Sequence, residues 1–368
     1  MLNTPTFTRR SFMQSLLAAG ALLAVPGALS ATAARADDAK KTRTIDTDKG
    51  PVEIPVDPEA IVSDYYLGEL LALDTKPIIA SPYALNNPFL EGLTDGIEAL
   101  NTSSAETSLE MIAEKQPDLI ITITEADYDK YSQIAPTIYI EDGKRTDEEL
   151  FLYIADILGK KDEAQAYLDD FNQKVADTKD EINQIVGDRT VSIVEVWPQQ
   201  VYVMGDKFAR GGSILFDMWG LKAPEKVEEE LIEGDKQYDV VSMEALPDYV
   251  GDFILYGVLD GTDDAFVEDS MMWQNLDAVK EGRVLPYEQI AYMHRDPITL
   301  NGQLEDFLEF FRGVAAAEGI EIEQSGDKDT KDSGDASKDD ASKDGASKDD
   351  ASKDDAPKAD AKKDEAKQ

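Results

Sequence analysis

The hydrophobic pattern is most regular in residues 160–186, which contain no proline or glycine. Apolar or small side chains recur there at alternating spacings of four and three residues, which places them in one stripe along a helix: Ala164, Leu168, Phe171, Val175, Thr178, Ile182 and Ile185. Gly187 follows, and glycine is a common helix stop signal. At about 1.5 Å per residue, this helix would be roughly 40 Å long. Such a length indicates either one long surface helix of a single domain or a rigid spine between two lobes.

Two similar stretches flank this helix and favour the spine. SLEMIAEKQPDLII begins at Ser108, and SMEALPDYVGDFIL begins at Ser242. In both, a glutamate follows the serine by two residues, and an aspartate follows it by ten and precedes an apolar run. Each stretch predicts a serine N-cap, a short helix with an acid in its first turn, and then a buried strand. We therefore expect an α/β protein of two similar lobes joined by one long spine helix.

Short apolar runs alternate with helical stretches on both sides of the spine, which is typical of βα units around a parallel sheet. In the first lobe we predict strands at residues 60–63, 77–81, 119–124 and 137–140, and a helix at 67–73. In the second lobe we predict strands at 190–196 and 284–286, the return arm of a hairpin at 200–204, and helices at 213–219 and 300–317. Ligands of such sheets bind in the loops beyond the carboxyl ends of the strands.

The first 36 residues have the pattern of an export signal. Arg9 and Arg10 precede Ser11 and Phe12, an apolar run follows, and Ala-Arg-Ala stands at residues 34–36. The apolar run is too short to span about 30 Å of hydrocarbon, which favours a cleaved signal over a membrane anchor. The paired arginines indicate the twin-arginine route. We therefore expect an exported protein of the periplasm, the cell envelope or the extracellular space.

The last 46 residues consist mainly of Ala-Ser-Lys-Asp repeats without aromatic or large apolar side chains. Such a segment cannot bury enough apolar surface to offset the entropy lost on ordering, so we expect it to be disordered. The predicted organisation is a signal peptide at residues 1–36, an N-terminal lobe at 37–159, the spine at 160–187, a C-terminal lobe at 188–322 and a tail at 323–368.

Composition narrows the classes of function. The chain carries 76 acidic and 36 basic residues, a net charge of −40, which would repel nucleic acid and anionic membrane surfaces. Without cysteine, the chain has no disulfide, no cysteine-ligated zinc and no lipid-modified cysteine. Its one histidine, His294, excludes a multi-histidine metal cluster. We expect no cofactor and no directly bound metal.

The loop at residues 205–213 contains the strongest candidate binding residue. Arg210 precedes two glycines in a chain that has few cations. With Tyr202 and Phe208 close in sequence, it suits a planar, oxygen-rich ligand held by a guanidinium and aromatic faces, and we expect the loop to face the cleft. The alternatives are a structural arginine paired with a local acid, and a phosphate-binding loop, although the loop lacks the P-loop pattern.

Other loop residues complete the candidate set. Trp197 follows a predicted strand, and Tyr83 follows another in the first lobe. Tyr292, His294 and Arg295 share one loop near the end of the second lobe. Each tyrosine could instead be a packing residue, and a lone histidine is more often structural than a ligand contact.

The chain resembles the substrate-binding proteins of ABC importers for iron–siderophore and cobalamin complexes. The similarity lies in the spine and in four other stretches, SLEMIAEKQPDLII, MGDKFARGGSILFDMWGLKAP, VSMEALP and WQNLDAVKEGRV. It covers about residues 44–317 and implies the helical-backbone periplasmic binding protein fold. It also implies a ferric siderophore, of the hydroxamate or mixed carboxylate type, as the ligand. Tyr202, Phe208 and Arg210 resemble the aromatic–aromatic–arginine cluster of ferric-hydroxamate binders, in which tryptophan is common at the position of Phe208. Tyr292 stands where such proteins have a second-lobe aromatic residue.

The resemblance also implies a macromolecular partner. In this family, one glutamate on each lobe docks onto arginines of a dimeric permease, and Glu110 and Glu244 match those positions. The alternative for both residues is stabilisation of a helix N-terminus by an acid in its first turn. We expect a monomer that is not an enzyme. The alternative functions are a surface interaction protein that uses the tail, and an exported hydrolase built on a carboxylate pair, which so acidic a sequence leaves open.

Overall fold

The computed structural model describes residues 41–101, 105–207, 209–234 and 236–322, without the side chains of residues 105–107. Its strands are Thr42–Thr47 (β1), Gly50–Pro55 (β2), Ile61–Ser63 (β3), Ile79–Ala80 (β4), Glu98–Ala99 (β5), Leu119–Thr122 (β6), Thr137–Tyr139 (β7), Val191–Trp197 (β8), Gln200–Met204 (β9), Tyr238–Val241 (β10), Phe253–Val258 (β11) and Val284–Glu288 (β12). Its α-helices are Leu67–Ala72 (α1), Pro82–Leu85 (α2), Ala105–Lys115 (α3), Tyr128–Tyr131 (α4), Asp147–Leu158 (α5), Lys161–Val186 (α6), Glu225–Val227 (α7), Ala265–Glu268 (α8), Met271–Gln274 (α9), Asp277–Lys280 (α10), Gln289–Tyr292 (α11) and Pro297–Glu318 (α12).

Short helical turns of other kinds complete the described chain. Three are 3-10 turns, at Pro88–Leu90, Glu125–Asp127 and Leu246–Asp248. Two are π-helical turns, at Ser213–Met218 and Glu228–Ile232. The predicted signal peptide and tail lie outside the described residues, as does the candidate Phe208.

Two five-stranded sheets share one plan, as predicted from the repeat. Their strand orders are β5-β4-β3-β6-β7 and β10-β9-β8-β11-β12. In each sheet, the third, fourth and fifth strands of the order run parallel to one another. The sheets differ beside the central strand, where β4 runs parallel to β3 but β9 returns antiparallel to β8 as the predicted hairpin. The fold is therefore two similar α/β lobes.

The aspartate of each repeat has the same structural role in both lobes. Asp118 accepts hydrogen bonds from the backbone N–H groups of Glu59 and Ala60, at 3.0 and 2.9 Å, just before β3 begins. Asp252 accepts from the backbone N–H of Thr190, at 2.8 Å, just before β8 begins. Each carboxylate thus joins the start of one central strand to the start of the strand paired with it.

The predicted start of each repeat is wrong in its details. Ser108 and Glu110 lie inside α3, so Ser108 is not an N-cap. Ser242 opens a turn, in which its hydroxyl accepts from the backbone N–H of Ala245, and a 3-10 turn takes the place of the predicted α-helix. Pro247 explains this difference, because proline lacks the N–H that a helix needs beyond its first turn.

The spine is confirmed as α6, a helix of 26 residues that ends at Val186 and is followed by Gly187, which has a positive φ of 64°. Its apolar stripe packs into two different cores. Ala164 and Leu168 belong to the core of the first lobe, whereas Phe171 and Val175 belong to the core of the second. One continuous helix therefore contributes to both lobes.

The last helix, α12, also bridges the lobes. Its Ile298 packs against a first-lobe cluster that includes Leu67, while its later apolar residues lie in the core of the second lobe. A Cβ atom at Gly302 would lie 2.2 Å from the ring of Phe89, so glycine allows this first-lobe residue to approach the helix. The lobes are thus joined by two helices. No helix in the described ranges has both the length and the apolar character required for a membrane span.

A hairpin of β1 and β2, which the sequence analysis missed, is fixed to the first lobe through Asp48 in its turn. The Asp48 carboxylate accepts from Lys144 at 2.6 Å and from both terminal nitrogens of Arg145 at 2.7 and 2.9 Å. The hydrogen bonds with Arg145 contribute most to holding the pKa of Asp48 well below its ordinary value.

We predict that Asp118→Ala and Asp252→Ala each lower the free energy of unfolding by about 1–3 kcal/mol, because each leaves backbone N–H groups without their acceptor. The two losses should add in the double variant, since the residues lie in different sheets. Urea unfolding followed by circular dichroism measures the effect, with the exposed Asp269→Ala as control. Wild-type stability of either repeat variant would contradict the shared role.

Candidate functional site

The candidate site lies where the parallel strands of the two lobes end, which is where ligands of such sheets bind. Tyr65 follows β3 in the first lobe. Trp197 is the last residue of β8, and Gln289 follows β12 in the second lobe. The sequence analysis predicted a binding site at these strand ends. The structure shows which residues each side chain contacts there.

Glu195 is the centre of the second-lobe side. It lies in β8 with no exposed surface. Arg210 donates to it from Nε at 2.8 Å and from Nη2 at 3.1 Å. The Tyr287 hydroxyl donates at 3.0 Å, the Trp197 indole N–H at 3.0 Å and the Gln289 amide at 3.3 Å. The buried charge is thus paired and well supplied with hydrogen bonds, which a buried carboxylate requires.

Arg210 itself is only 5% exposed. Burial disfavours its charged form, but the hydrogen bonds and charge of Glu195 outweigh burial, so the pKa of the guanidinium is raised. The predicted role of Arg210 in ligand binding stays a prediction, while its side chain is buried and paired in this structure. The arrangement matches the alternative, a structural arginine paired with a local acid.

The backbone around Arg210 is strained. Ala209, Arg210 and Gly211 have successive positive φ values of 57°, 58° and 74°. For a residue other than glycine this left-handed conformation costs about 1–2 kcal/mol. The buried pair with Glu195 and a 2.9 Å hydrogen bond from the Arg210 N–H to the Tyr292 carbonyl hold the loop in place. Such strain is concentrated at binding sites and requires a rigid surrounding.

A row of aromatic rings extends from this centre toward solvent. The rings of Trp197 and Tyr202 have centroids 5.0 Å apart, and those of Tyr202 and Tyr238 are 5.8 Å apart. Tyr238 is 43% exposed. The structure thus brings the predicted Trp197 and Tyr202 together and adds Tyr238 to them.

The first-lobe side is formed by Tyr65, which is 41% exposed. Its ring centroid lies 6.1 Å from that of His294. His294 is buried, and its Nε2 has no hydrogen-bond partner among the described residues. Burial is the main cause that lowers the pKa of His294, which favours the neutral imidazole. Tyr65 and His294 therefore bring the two lobes into contact at the site.

Arg295 lies beside this contact but is paired within the protein. Its Nε lies 3.3 Å from a carboxylate oxygen of Asp147 at the start of α5. Glu69, Arg295 and His294 line one small hollow with Tyr65. Burial raises the pKa of Glu69 to about 8, and the neighbouring Asp296 adds to the shift.

Two predicted contacts lie elsewhere. Tyr292 is 2% exposed, its ring stacks on Tyr287 at 4.3 Å, and its hydroxyl donates to Asp306 at 2.7 Å. Tyr292 is therefore buried among core residues in this structure, and its predicted contact with a ligand stays a prediction. Tyr83 is 65% exposed on α2, and none of the described ring contacts involves it. The docking candidates Glu110 and Glu244 are both exposed, the first on α3 and the second in the turn after Ser242.

The sequence analysis missed the residues that surround Arg210, which are Glu195, Tyr287 and Gln289, and it did not single out Tyr65 or Tyr238. Glu195 carries a readable signal, since it is the only charge in the apolar strand VSIVEVW. A carboxylate in a buried strand needs a partner, and Arg210 is one of the few cations of the lobe. Tyr287 and Gln289 have no such signal, because their contacts with Glu195 span 92 and 94 residues.

Comparison with known proteins gives consistent matches over most of the chain. The profile of a family described as "Periplasmic binding protein" matches residues 60–291. The iron(3+)-hydroxamate-binding protein FhuD of Bacillus subtilis is 36% identical over 296 residues, which cover 78% of this chain and 93% of that protein. Protein YxeB of the same organism, also described as iron(3+)-hydroxamate-binding, is 32% identical over 77% of this chain and 91% of that protein.

Solved structures of binding proteins are also similar to this chain. A B. subtilis binding-protein component of a ferrichrome ABC transporter superposes with a TM-score of 0.68 at 35% identity, covering 73% of this chain and 99% of that one. FhuD2 of Staphylococcus aureus with bound ferrioxamine B superposes with a TM-score of 0.64 at 27% identity, covering 70% and 100%.

We predict that Glu69→Gln removes a pH dependence of stability. The folded-state pKa of about 8 lies above the ordinary 4.5, so the wild type loses stability as pH rises through this window, because only the unfolded state readily releases the proton. At pH 8–9 the variant should be more stable by the order of a few kcal/mol. Urea unfolding of both proteins at about pH 5 and pH 8.5 measures the difference. The exposed Glu163→Gln is the control, and parallel pH profiles of wild type and Glu69→Gln would refute the prediction.

Proposed function

Since the chain belongs to the periplasmic binding protein family, we propose that it binds a ferric siderophore between its lobes and delivers it to an ABC importer. Hydroxamates are the favoured class, and mixed carboxylates come second. The observation that carries the proposal is the convergence of Arg210, Trp197 and Tyr202 at the carboxyl ends of the second-lobe strands. The hydroxamate-binding relatives support the ligand class.

The chemistry of the site suits such a ligand. A ferric hydroxamate presents oxygen atoms around the iron and apolar linkers between them. The aromatic row of Trp197, Tyr202 and Tyr238 offers faces for the linkers. Glu195 acts as a positioning residue that fixes the guanidinium of Arg210, whose charge favours the ligand oxygens. The iron is held by the oxygens of the siderophore, so the protein supplies no metal ligand.

The proposed partner is a permease dimer, which a monomeric binding protein contacts with both lobes. Glu110 and Glu244 are exposed at matching positions of the repeat, one on each lobe. Two similar acids suit two identical receptor subunits, and charge pairs steer docking and fix its register. The helix-dipole alternative has lost its basis, because neither residue lies in the first turn of an α-helix.

The location of this proposed function follows from the N-terminal sequence. We propose export by the twin-arginine route, on the strength of Arg9 and Arg10 before the apolar run and Ala-Arg-Ala at residues 34–36. The repetitive residues 323–368 are proposed to be a disordered tail.

We predict that a ferric hydroxamate quenches the tryptophan fluorescence of the protein in a saturable titration. Trp197 lies at the proposed site, whereas Trp273 is buried against Tyr256. Trp197→Phe should therefore remove a larger part of the quenching than Trp273→Phe, its matched control. Ferric catecholates should bind at least about tenfold more weakly, a difference of about 1.4 kcal/mol. A flat titration with hydroxamate and carboxylate siderophores alike would overturn the proposed function.

We predict that Glu110→Ala and Glu244→Ala leave siderophore affinity unchanged but impair uptake, with the double variant worse than either single one. Loss of one interfacial charge pair should slow uptake about tenfold, since such pairs contribute about 1.5 kcal/mol or more. Uptake of radioactive ferric hydroxamate by cells measures this. The matched control changes one other exposed acid on each lobe, Glu91 and Glu268. Normal uptake by a stable, well-expressed double variant would exclude the docking role.

A further inference from the structure

The first lobe inserts an aromatic ring into the second lobe through the 3-10 turn Pro88–Leu90. Asn87 fixes this turn with both polar atoms of its side chain. Its Oδ1 accepts from the backbone N–H of Phe89 at 3.1 Å, and its Nδ2 donates to the hydroxyl of Thr299 on α12 at 2.7 Å. Phe89 is half-buried and packs against the core of the second lobe. The turn is therefore held by a hydrogen bond that crosses between the lobes.

The ring of Phe89 lies between the backbone of α12 and a second-lobe tyrosine. A Cβ atom at Gly302 would lie 2.2 Å from the ring, so the ring touches the helix where its side chain is smallest. The ring centroid lies 5.9 Å from that of Tyr292, at an interplanar angle of 52°, which is a favourable distance for an aromatic pair. A first-lobe side chain thus forms part of the packing around Tyr292.

Tyr292 reaches the Glu195–Arg210 pair by two routes. Its carbonyl accepts from the backbone N–H of Arg210 at 2.9 Å. Its ring stacks on Tyr287 with centroids 4.3 Å apart, and the Tyr287 hydroxyl donates to Glu195 at 3.0 Å. A displacement of Tyr292 would therefore move the main chain of Arg210 and would also disturb a donor to the carboxylate that holds the guanidinium.

The loop that carries Arg210 depends on the same helix as Phe89. A Cβ atom at Gly211 would lie 2.3 Å from the ring of Phe307 on α12, and that ring has its centroid 5.9 Å from Tyr292. The left-handed backbone at Arg210 is strained and persists only in a surrounding that holds it. The loop and the first-lobe ring are thus supported by one stretch of α12.

We propose that Phe89 is a positioning residue of the binding site. From the first lobe it holds Tyr292, and through Tyr292 it fixes Arg210 for the ligand. This role rests on the proposed function, which supplies the ligand, and it makes the second-lobe side of the site dependent on the first lobe. The alternative is ordinary packing, in which Phe89 contributes to stability alone and Arg210 keeps its place without it.

Fluorescence titration with a ferric hydroxamate tests the role. Phe89→Ala removes the ring and Gly302→Ala displaces it, so each should weaken binding about tenfold, whereas Phe89→Leu should keep affinity within about threefold of wild type. Gly302→Ala should cause no further loss in the Phe89→Ala background, because no ring is left to displace. Leu158→Ala deletes a buried side chain in the first-lobe core and, as the matched control, should bind like wild type.

Nuclear magnetic resonance of the free protein separates positioning from stability. The chain has three tryptophans, so isotope-labelled protein gives three indole N–H signals, which tryptophan-to-phenylalanine variants assign. The Trp197 indole donates to Glu195, whereas Trp273 packs against Tyr256. In Phe89→Ala and Gly302→Ala the Trp197 signal should shift while that of Trp273 stays in place, and in Phe89→Leu it should return toward its wild-type position.

Wild-type affinity of Phe89→Ala and Gly302→Ala, an equal loss in Leu158→Ala, or an unmoved Trp197 signal would each overturn the proposal. Gly302→Ala retains every side chain of the contact, so it decides the question if Phe89→Ala does not fold. If wild type bound no siderophore, the proposed function would fail, while the indole signals would still decide whether Phe89 positions the Glu195–Arg210 pair.

Discussion

The buried ion pair of Glu195 and Arg210 is the interaction on which the second-lobe side of the cleft depends. A carboxylate with no exposed surface is tolerated only if its charge is paired and its oxygens accept hydrogen bonds. Arg210 supplies the charge, while Trp197, Tyr287 and Gln289 supply further donors. The same pair fixes a loop whose backbone is strained at Arg210. Charge pairing, loop conformation and the orientation of the aromatic row are thus one coupled arrangement.

This arrangement changes how Arg210 is to be understood. A guanidinium on an open loop would lose rotamer freedom whenever it met a ligand, whereas one held by Glu195 has already lost it. Removing Arg210 alone would leave Glu195 as an uncompensated buried charge, which costs about 3–5 kcal/mol in such pairs. The arginine is therefore a structural residue and a candidate binding residue at once. The two interpretations of the sequence are compatible, although the sequence presented them as alternatives.

The two lobes are similar where the sheets are built and different at the exposed acids proposed to dock. Asp118 and Asp252 connect equivalent strands in equivalent ways. The exposed acids hold matching positions in the sequence repeat but lie in different local structures, Glu110 on an α-helix and Glu244 in a turn. The lobes are also joined twice, by α6 and by α12, and α6 contains no proline or glycine that would absorb a bend. A wide hinge motion would break packing in both cores.

The sequence by itself determined the elements whose signals are local. The spine was predicted almost to the residue, because its period and its closing glycine lie within one stretch of chain. The strand pattern on both sides and the β8–β9 hairpin followed for the same reason. The α-helix predicted after Ser242 is replaced by a 3-10 turn, and the nearby Pro247 is a local reason for this difference. The architecture of two similar lobes could be predicted because the two repeated stretches can be recognised in the sequence itself.

Only the tertiary structure decided which side chains meet. Arg210 and Glu195 are 15 residues apart, and Glu195 and Tyr287 are 92 apart, so no periodicity links them. Tyr292 looked like a ligand contact in a loop, but packing against Tyr287 and Phe307 buries it. A cavity of about 520 Å³ beside α6 is lined by four separate segments, within residues 146–151, 167–172, 206–218 and 295–300. Local sequence fixes the period of an element, whereas burial, pairing and enclosed space depend on distant elements being brought together.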